Sequence, residues 1–246
     1  IGIVDWLFAE VQRLGVEIRF NCYAEASEIL AEIPEVVIVA TGGLPNTEFL
    51  RDGADWVVPS WDILAGTVKP KKDILLFDDN GQHPGISCAE FLANPETKLE
   101  YVTPERTIAP DVGGTNYPAY LRALYENEVT ITLNHRLTDV IRNGPGLTAT
   151  LYNEFTHSNI ERTVEQIVVD HGTLPLDDLY FELREQSSNG GEVDLEALIS
   201  GKAGLNQQNL VSNTKGNFQL FRVGDAVASR NIHSAIYDSL RLCKDL

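Results

Sequence analysis

The sequence predicts an α/β fold built on a parallel sheet, with a run of antiparallel strands attached to it. Three observations predict this. Short apolar runs alternate with segments of helical periodicity from Val4 to Leu133, the pattern of strands joined by crossover helices. Beyond Leu133 strand follows strand, with Asn143-Gly144-Pro145-Gly146 as a turn, which reads as a β-meander. A buried-type strand ending in Gly-x-Leu-Pro occurs twice, at Val36–Pro45 and at Gln166–Pro175.

Val4, Leu7, Phe8, Val11 and Leu14 fall at 3.6-residue spacing and predict a helix stopped by Gly15. A strand is expected at Val16–Phe20, a short helix at Ala24–Ala31 and a strand at Val36–Ala40. The pattern restarts with strand Ile74–Phe77, an Asp/Asn/Gly turn, helix Gly85–Ala93, strand Leu99–Val102, helix Pro118–Asn127 and strand Val129–Leu133. This alternation predicts a parallel sheet covered by helices on both faces. Strands of the meander are expected at Leu137–Arg142, Leu147–Tyr152 and Arg162–Val169. The stretch from Gln186 to Asn217, rich in Gly, Ser, Asn and Gln, reads as a loop or linker with room for a short helix at Val193–Ile199. Strand Phe218–Val223 delivers Gly224-Asp225 to a last helix, Ile232–Lys244, with lysine in its final turn as the helix dipole favours.

Composition removes several function classes. A net charge of −17 opposes nucleic acid or an anionic membrane as partner, since both are held through basic residues. No run approaches the roughly 20 apolar residues that span a bilayer, and Ile1–Phe8 lacks the basic flank of a signal peptide, so a soluble cytoplasmic protein is expected. The three cysteines, Cys22, Cys88 and Cys243, are too scattered for a disulfide framework or a zinc or iron–sulfur site. The five histidines, His83, His135, His157, His171 and His233, show no i,i+4 pairing, so no metal site is expected. No GxSxG turn is present to support hydrolase chemistry. The chain opens on Ile1 and contains no methionine, and we expect it to be a fragment.

Chemistry concentrates at the ends of strands. Glycine after a buried strand lets the backbone turn and lets another group come close, which singles out Thr41-Gly42-Gly43 in the first repeat. His171 stands at the position of Thr41 in the second repeat and is a candidate to face a cofactor or a domain interface. In Phe221-Arg222-Val223-Gly224-Asp225-Ala226 the aspartate precedes a helix and can accept hydrogen bonds from sugar hydroxyls.

The order of strand and ATGG-LP, an inserted α/β unit, strand and HGTLP, then FRVGDAVASRNIHSAI resembles the two-dinucleotide-domain fold of the flavoprotein disulfide reductases. More closely, it is similar to the C-terminal half of the trimethylamine dehydrogenase, N-methylproline demethylase and dienoyl-CoA reductase family of NADH:flavin oxidoreductases. The resemblance implies Rossmann-like three-layer dinucleotide-binding-type domains, one inserted in the other. The expected division is 1–70 and 181–246 for an incomplete flavin- or ADP-binding-type domain and 71–180 for an inserted NAD(P)-binding-type domain. It also implies that Thr41, Gly42, Gly43, Gly224, Asp225 and Ala226 line the FAD or ADP site. In that family an N-terminal TIM barrel carries FMN and an iron–sulfur cluster and performs the oxidation. The expected partners are therefore that barrel, in the same polypeptide, and an electron-transfer flavoprotein, with oligomers allowed. The function implied for the full-length enzyme is oxidative N-demethylation of a small methylated amine; the alternative is a non-catalytic structural or docking module that has lost its nucleotide.

Two departures lower the expected affinity of the isolated chain. The Gly-rich turn that precedes the first helix of the flavin-type domain is not in this sequence. In the inserted unit, aligning Gly85 with the last glycine of GxGxxG puts Asn80 and Gln82 where the first two glycines belong, with Asp78 and Asp79 adding negative charge. Poor NAD(P) binding is expected there. The same Ile74–Asn80 segment also resembles the acidic strand end of a phosphoacceptor receiver domain, but the third strand ends in Asn134-His135 where the phosphoacceptor aspartate would stand.

Overall fold

The computed structural model describes residues 2–200 and 213–244. In chain order the elements are α1 (Gly2–Arg13), α2 (Ala26–Ala31), β1 (Val36–Val39), β2 (Gly43–Pro45), β3 (Val57–Pro59), α3 (Ser60–Leu64), β4 (Asp73–Asp78), α4 (His83–Leu92), β5 (Lys98–Val102), α5 (Tyr117–Glu126), β6 (Thr130–Thr132), β7 (His135–Asn143), β8 (Gly146–Asn153), β9 (Ser158–Val164), β10 (Gln166–Asp170), β11 (Thr173–Pro175), α6 (Asp178–Arg184), α7 (Leu195–Ser200), β12 (Gln219–Arg222) and α8 (Ile232–Cys243). They form two compact units, one from Ile1–Val39 with Asp178–Arg222, the other from Ala40–Asp177 with Val223–Lys244.

In the first unit β1 and β12 pair in parallel, Val36 opposite Gln219 through Val39 opposite Arg222. The buried Asn189 side chain extends this ladder. Its Oδ1 accepts from Leu220 N and its Nδ2 donates to Leu220 O, both at 2.9 Å, so the amide does the work of a neighbouring strand. Tyr180 and Phe181 of α6 lie under the Arg222 guanidinium, 4.5 and 5.4 Å from its carbon. Helix α1 ends as expected before Gly15, which takes φ +73°, but none of its residues is buried. Val16–Phe20, expected as a strand, pairs with no other strand among the described residues. Alternating side chains make a strand only where a second backbone lies alongside to complete the ladder. The linker expectation at Gln186–Asn217 falls partly outside the described residues; its short helix is α7.

The second unit is organised by a five-stranded parallel sheet in the order β3-β10-β4-β5-β6. Its central strands are continuous apolar runs because both faces are covered. Ile74, Leu76 and Val168 point into a core with Ile86, Leu92 and Leu124 of the helices. Leu75, Phe77, Ile167 and Val169 point the other way. That second face is not covered by helices, as the sequence pattern suggested. The meander β7-β8-β9 covers it, with Leu137, Val140, Ala149, Leu151 and Val164 turned inward. Apolar residues alternate with polar ones along β8 at Leu147, Ala149 and Leu151, and β7 and β9 add Leu137, Val140, Ile160 and Val164 to the same core, so these strands make a half-buried sheet of their own.

The segment Arg162–Val169, expected as one strand, is two. Val164 closes β9 in antiparallel register with Leu147, and Gln166 opens β10 in parallel register with Ile74. Glu165 makes the corner: its N–H donates to Asp73 O at 2.9 Å and its carboxylate accepts from Lys72 N at 3.0 Å. Strand β3 and helix α3, which the sequence pattern did not announce, complete the edge of the sheet. Just before them Gly53 sits at φ +91° against β7, where an added Cβ would lie 2.0 Å from Val140 O.

Leu76 is fully buried between β10, β5 and the helices. Leu76→Ala is therefore expected to lower unfolding free energy by about 2–5 kcal/mol, measured as a reduced urea midpoint at unchanged slope.

Candidate cofactor site

The two Gly-x-Leu-Pro repeats meet each other. β2 and β11 pair antiparallel with Leu44 opposite Leu174, a contact that the sequence signalled only by giving both segments the same pattern. The bonds around it are reciprocal: Leu176 N donates to Gly42 O and Asn46 N to Gly172 O, each at 3.0 Å. Gly42 and Gly172 both adopt left-handed backbone, φ +74° and +69°, which glycine reaches without the Cβ penalty. Gly43 is held closely; a Cβ there would come within 2.7 Å of Leu174 O.

Within this second unit, Thr41, Gly42 and Gly43 line a cavity of about 730 Å³ whose opposite wall is Gly224, Asp225, Arg230, Asn231 and Ile232. Residues more than 180 positions apart thus share one site. The Thr41 hydroxyl donates to Leu176 O and fixes its loop. Gly42 leaves open space where a Cβ would be. Gly224 has φ +63°, and its N–H donates to Asp238 Oδ2 of α8 at 3.4 Å while its carbonyl accepts from Arg230 Nη2 at 3.3 Å. Arg230 and Asp238 are themselves ion-paired, so the pair clamps the glycine turn onto α8. Half-buried Asp225 accepts from Arg230 N at 3.2 Å through Oδ1 and from Thr173 Oγ1 at 3.5 Å through Oδ2, and each oxygen keeps a lone pair free for one more donor. Ala226 is fully buried beneath this turn and does not line the cavity.

Other lining residues were not expected at this cavity, Gln82 having been read only as a departure from the glycine-rich turn of the inserted unit. Trp61 of α3 and the Gln82-His83-Pro84 entry to α4 complete the wall, brought there by sheet order rather than by any motif. Asn231 could have been found, since Asn-x-x-Ser is an N-cap pattern, and its Oδ1 does accept from Ser234 N at 3.0 Å. His171 is not part of this cavity. Its Nδ1 lies 2.5 Å from Asp79 Oδ1 and its ring packs on Phe49 at 4.3 Å, in an open cleft with Arg51 and Arg136.

No family model matches this sequence. A probable N-methylproline demethylase of Rhizobium meliloti is 48% identical over the whole of this chain, and N,N-dimethylglycine/sarcosine dehydrogenase of Chromohalobacter salexigens is 41% identical over 99% of it. In both cases the chain spans only 36% of the relative's length. Over that portion the chain is a relative of N-methylproline demethylase and dimethylglycine dehydrogenase. The fold agrees: histamine dehydrogenase from Rhizobium sp. 4-9 superposes with a TM-score of 0.72 at 20% identity, covering 94% of this chain and 33% of that one.

In the second unit the C-terminal ends of β4 and β10 carry a buried acidic pair, Asp78 opposite Asp170. Asp170 accepts from Ser60 Oγ at 2.7 Å and Asn80 Nδ2 at 2.9 Å. Asp78 accepts from the N–H groups of Asn80 and Gly81 and from the Tyr101 hydroxyl. Burial pushes the Asp78 carboxyl up to about 7; the Tyr101 bond pulls it back, and the charge of Asp170 pushes it further up. Burial also pushes the neighbouring Cys88 thiol up, to about 12.

A carboxyl raised in the folded state binds more protons folded than unfolded, so it adds stability at low pH that is lost as pH rises. The Asp78 contribution is expected to be complete below about 4 and gone above about 7. Urea unfolding across that range should show the wild type losing stability relative to Asp78→Asn as pH increases. Parallel curves would contradict the assignment.

Proposed function

We propose that this chain is the cofactor-holding portion of a flavin-dependent enzyme that oxidatively N-demethylates a small methylated amine, and that FAD or ADP is held in the cavity lined by Thr41-Gly42-Gly43 and Gly224-Asp225. The observation that carries this reading is the meeting of those two motifs on one cavity of about 730 Å³, a volume within the range of small-molecule and cofactor sites. Kinship with an N-methylproline demethylase and a dimethylglycine dehydrogenase supports the reaction class.

The residues fit such a group. Asp225, with acceptor capacity left on both oxygens, takes a sugar or ribityl hydroxyl, and among the described residues no other carboxylate lines the cavity. Gly42 lets the ligand approach the backbone, and Trp61 and Ile232 supply an apolar wall. When bound, the flavin would supply the capacity to accept a hydride; the chain's own residues position it and shield it from water. The proposed division is a flavin/ADP-type domain at 1–70 and 181–246 interrupted by an NAD(P)-type, Rossmann-like domain at 71–180. A TIM barrel of the same polypeptide would carry FMN, an iron–sulfur cluster and substrate selection, and an electron-transfer flavoprotein would take the electrons.

The test is thermal unfolding of the 246-residue chain with FAD or ADP. A ligand at about 100 times its Kd adds about 2.7 kcal/mol, which is a rise of several degrees in Tm for a chain of this size. Asp225→Ala should weaken binding by about tenfold or more, as expected for a lost hydrogen bond to a charged group. An unchanged Tm with both ligands, or equal shifts in wild type and Asp225→Ala, would refute the proposal.

A further inference from the structure

We propose that the carboxyl group of Asp78 is a built-in occupant of the strand-to-helix turn between β4 and α4, and that this residue shuts the turn to dinucleotide phosphates. The turn runs on into Gln82-His83-Pro84 of the Thr41–Asp225 cavity wall, but the inference rests on the hydrogen bonds of Asp78 and does not depend on what that cavity binds.

A turn that receives a pyrophosphate keeps its backbone N–H groups unpaired and directed at the ligand, with glycines that let the phosphate come close. Here three successive N–H groups are already used. Asp79 N donates to Asp170 O at 3.3 Å. Asn80 N and Gly81 N donate to Asp78 Oδ1 at 3.0 and 2.9 Å. The carboxyl oxygen accepts both bonds whether or not the group is protonated, so the closure does not require a charge. The other oxygen, Oδ2, accepts from the Tyr101 hydroxyl.

The glycine of this turn serves the same closure. A Cβ on Gly85 would lie 2.4 Å from Asp78 Oδ2 and 2.5 Å from its Cγ. The space that a glycine opens at the start of α4 is therefore filled by the chain's own carboxyl group. From outside, the loop before α5 seals the turn. Asp111 N donates to Gly81 O at 3.1 Å, and the Pro110 ring lies 2.8 Å from where a Gly81 Cβ would be. Mere repulsion by acidic residues is a weaker explanation, because Asp79 is already ion-paired with Arg136 and in hydrogen-bond contact with His171.

Occupancy and charge make different predictions. NADH is titrated against wild type, Asp78→Asn and Asp78→Gly, following NADH fluorescence. Wild type and Asp78→Asn should show no saturable binding, since the asparagine oxygen still accepts from Asn80 and Gly81. Asp78→Gly, which frees both N–H groups, should bind at least about tenfold more tightly than either. Equal gains in Asp78→Asn and Asp78→Gly would overturn occupancy in favour of charge. Micromolar binding by wild type, or a folded Asp78→Gly with no gain, would overturn it as well. If Asp78→Gly does not fold, amide exchange in the wild type decides. Slow exchange at Asn80 and Gly81, with both resonances shifting as Asp78 titrates, supports the closed turn; fast exchange at both rejects it.

Discussion

The parallel pairing of β4 with β10 is the interaction on which the second unit depends. Both strands are buried on both faces, and their register, from Gln166 opposite Ile74 to Asp170 opposite Asp78, fixes what lies at their C-terminal ends. Two apolar cores form on opposite sides of this pair, one against helices and one against the meander. Burial of that many aliphatic side chains, each contributing about 1.5–3 kcal/mol, offsets the cost of bringing together strands whose paired residues lie 92 positions apart in sequence. The same register sets two carboxyl groups side by side where water is excluded. Their donors, Ser60, Asn80, Tyr101 and two backbone N–H groups, make the arrangement tolerable.

Past the sheet edge the chain uses a second device. The reciprocal bonds around Leu44 and Leu174 give Gly42 and Gly172 matching hydrogen-bonded positions, yet the two loops serve different ends. The first presents open backbone to a cavity. The second is tied down, with Thr173 N donating to Ser229 Oγ at 3.1 Å and Thr173 Oγ1 to Asp225. The tied loop thereby helps hold the aspartate that faces the open one.

Much of this was legible in the sequence because strands buried on both faces and amphipathic helices leave strong periodic signals. Ile74–Phe77, Leu99–Val102 and the helices after them appear within a residue or two of their expected places. The meander was legible as strands but not as the second cover of the sheet, since a half-buried strand does not state which surface it packs on. The corner at Glu165 was hidden because Val164 and Gln166 flank it without a glycine or proline. Val16–Phe20 misled because strand propensity says nothing about a partner. Of the site, Thr41–Gly43 and Gly224–Asp225 were visible through glycine and aspartate placement, whereas Trp61 and Gln82–Pro84 reach the cavity only through the spatial order of the strands. The acidic charge at Asp78 was visible too; that its carboxyl turns inward onto Asn80 and Gly81 was not.

The central claim is that the second unit offers a flavin or ADP one place to bind, between Thr41-Gly42-Gly43 and Gly224-Asp225. A crystal structure of the chain grown with FAD tests this most directly. The account predicts density for the cofactor in that cavity, with a sugar or ribityl hydroxyl on the Asp225 carboxylate and no phosphate at the turn formed by Asp78–Gly81. Cofactor density on that turn, or an ordered cofactor that leaves Asp225 untouched, would contradict it.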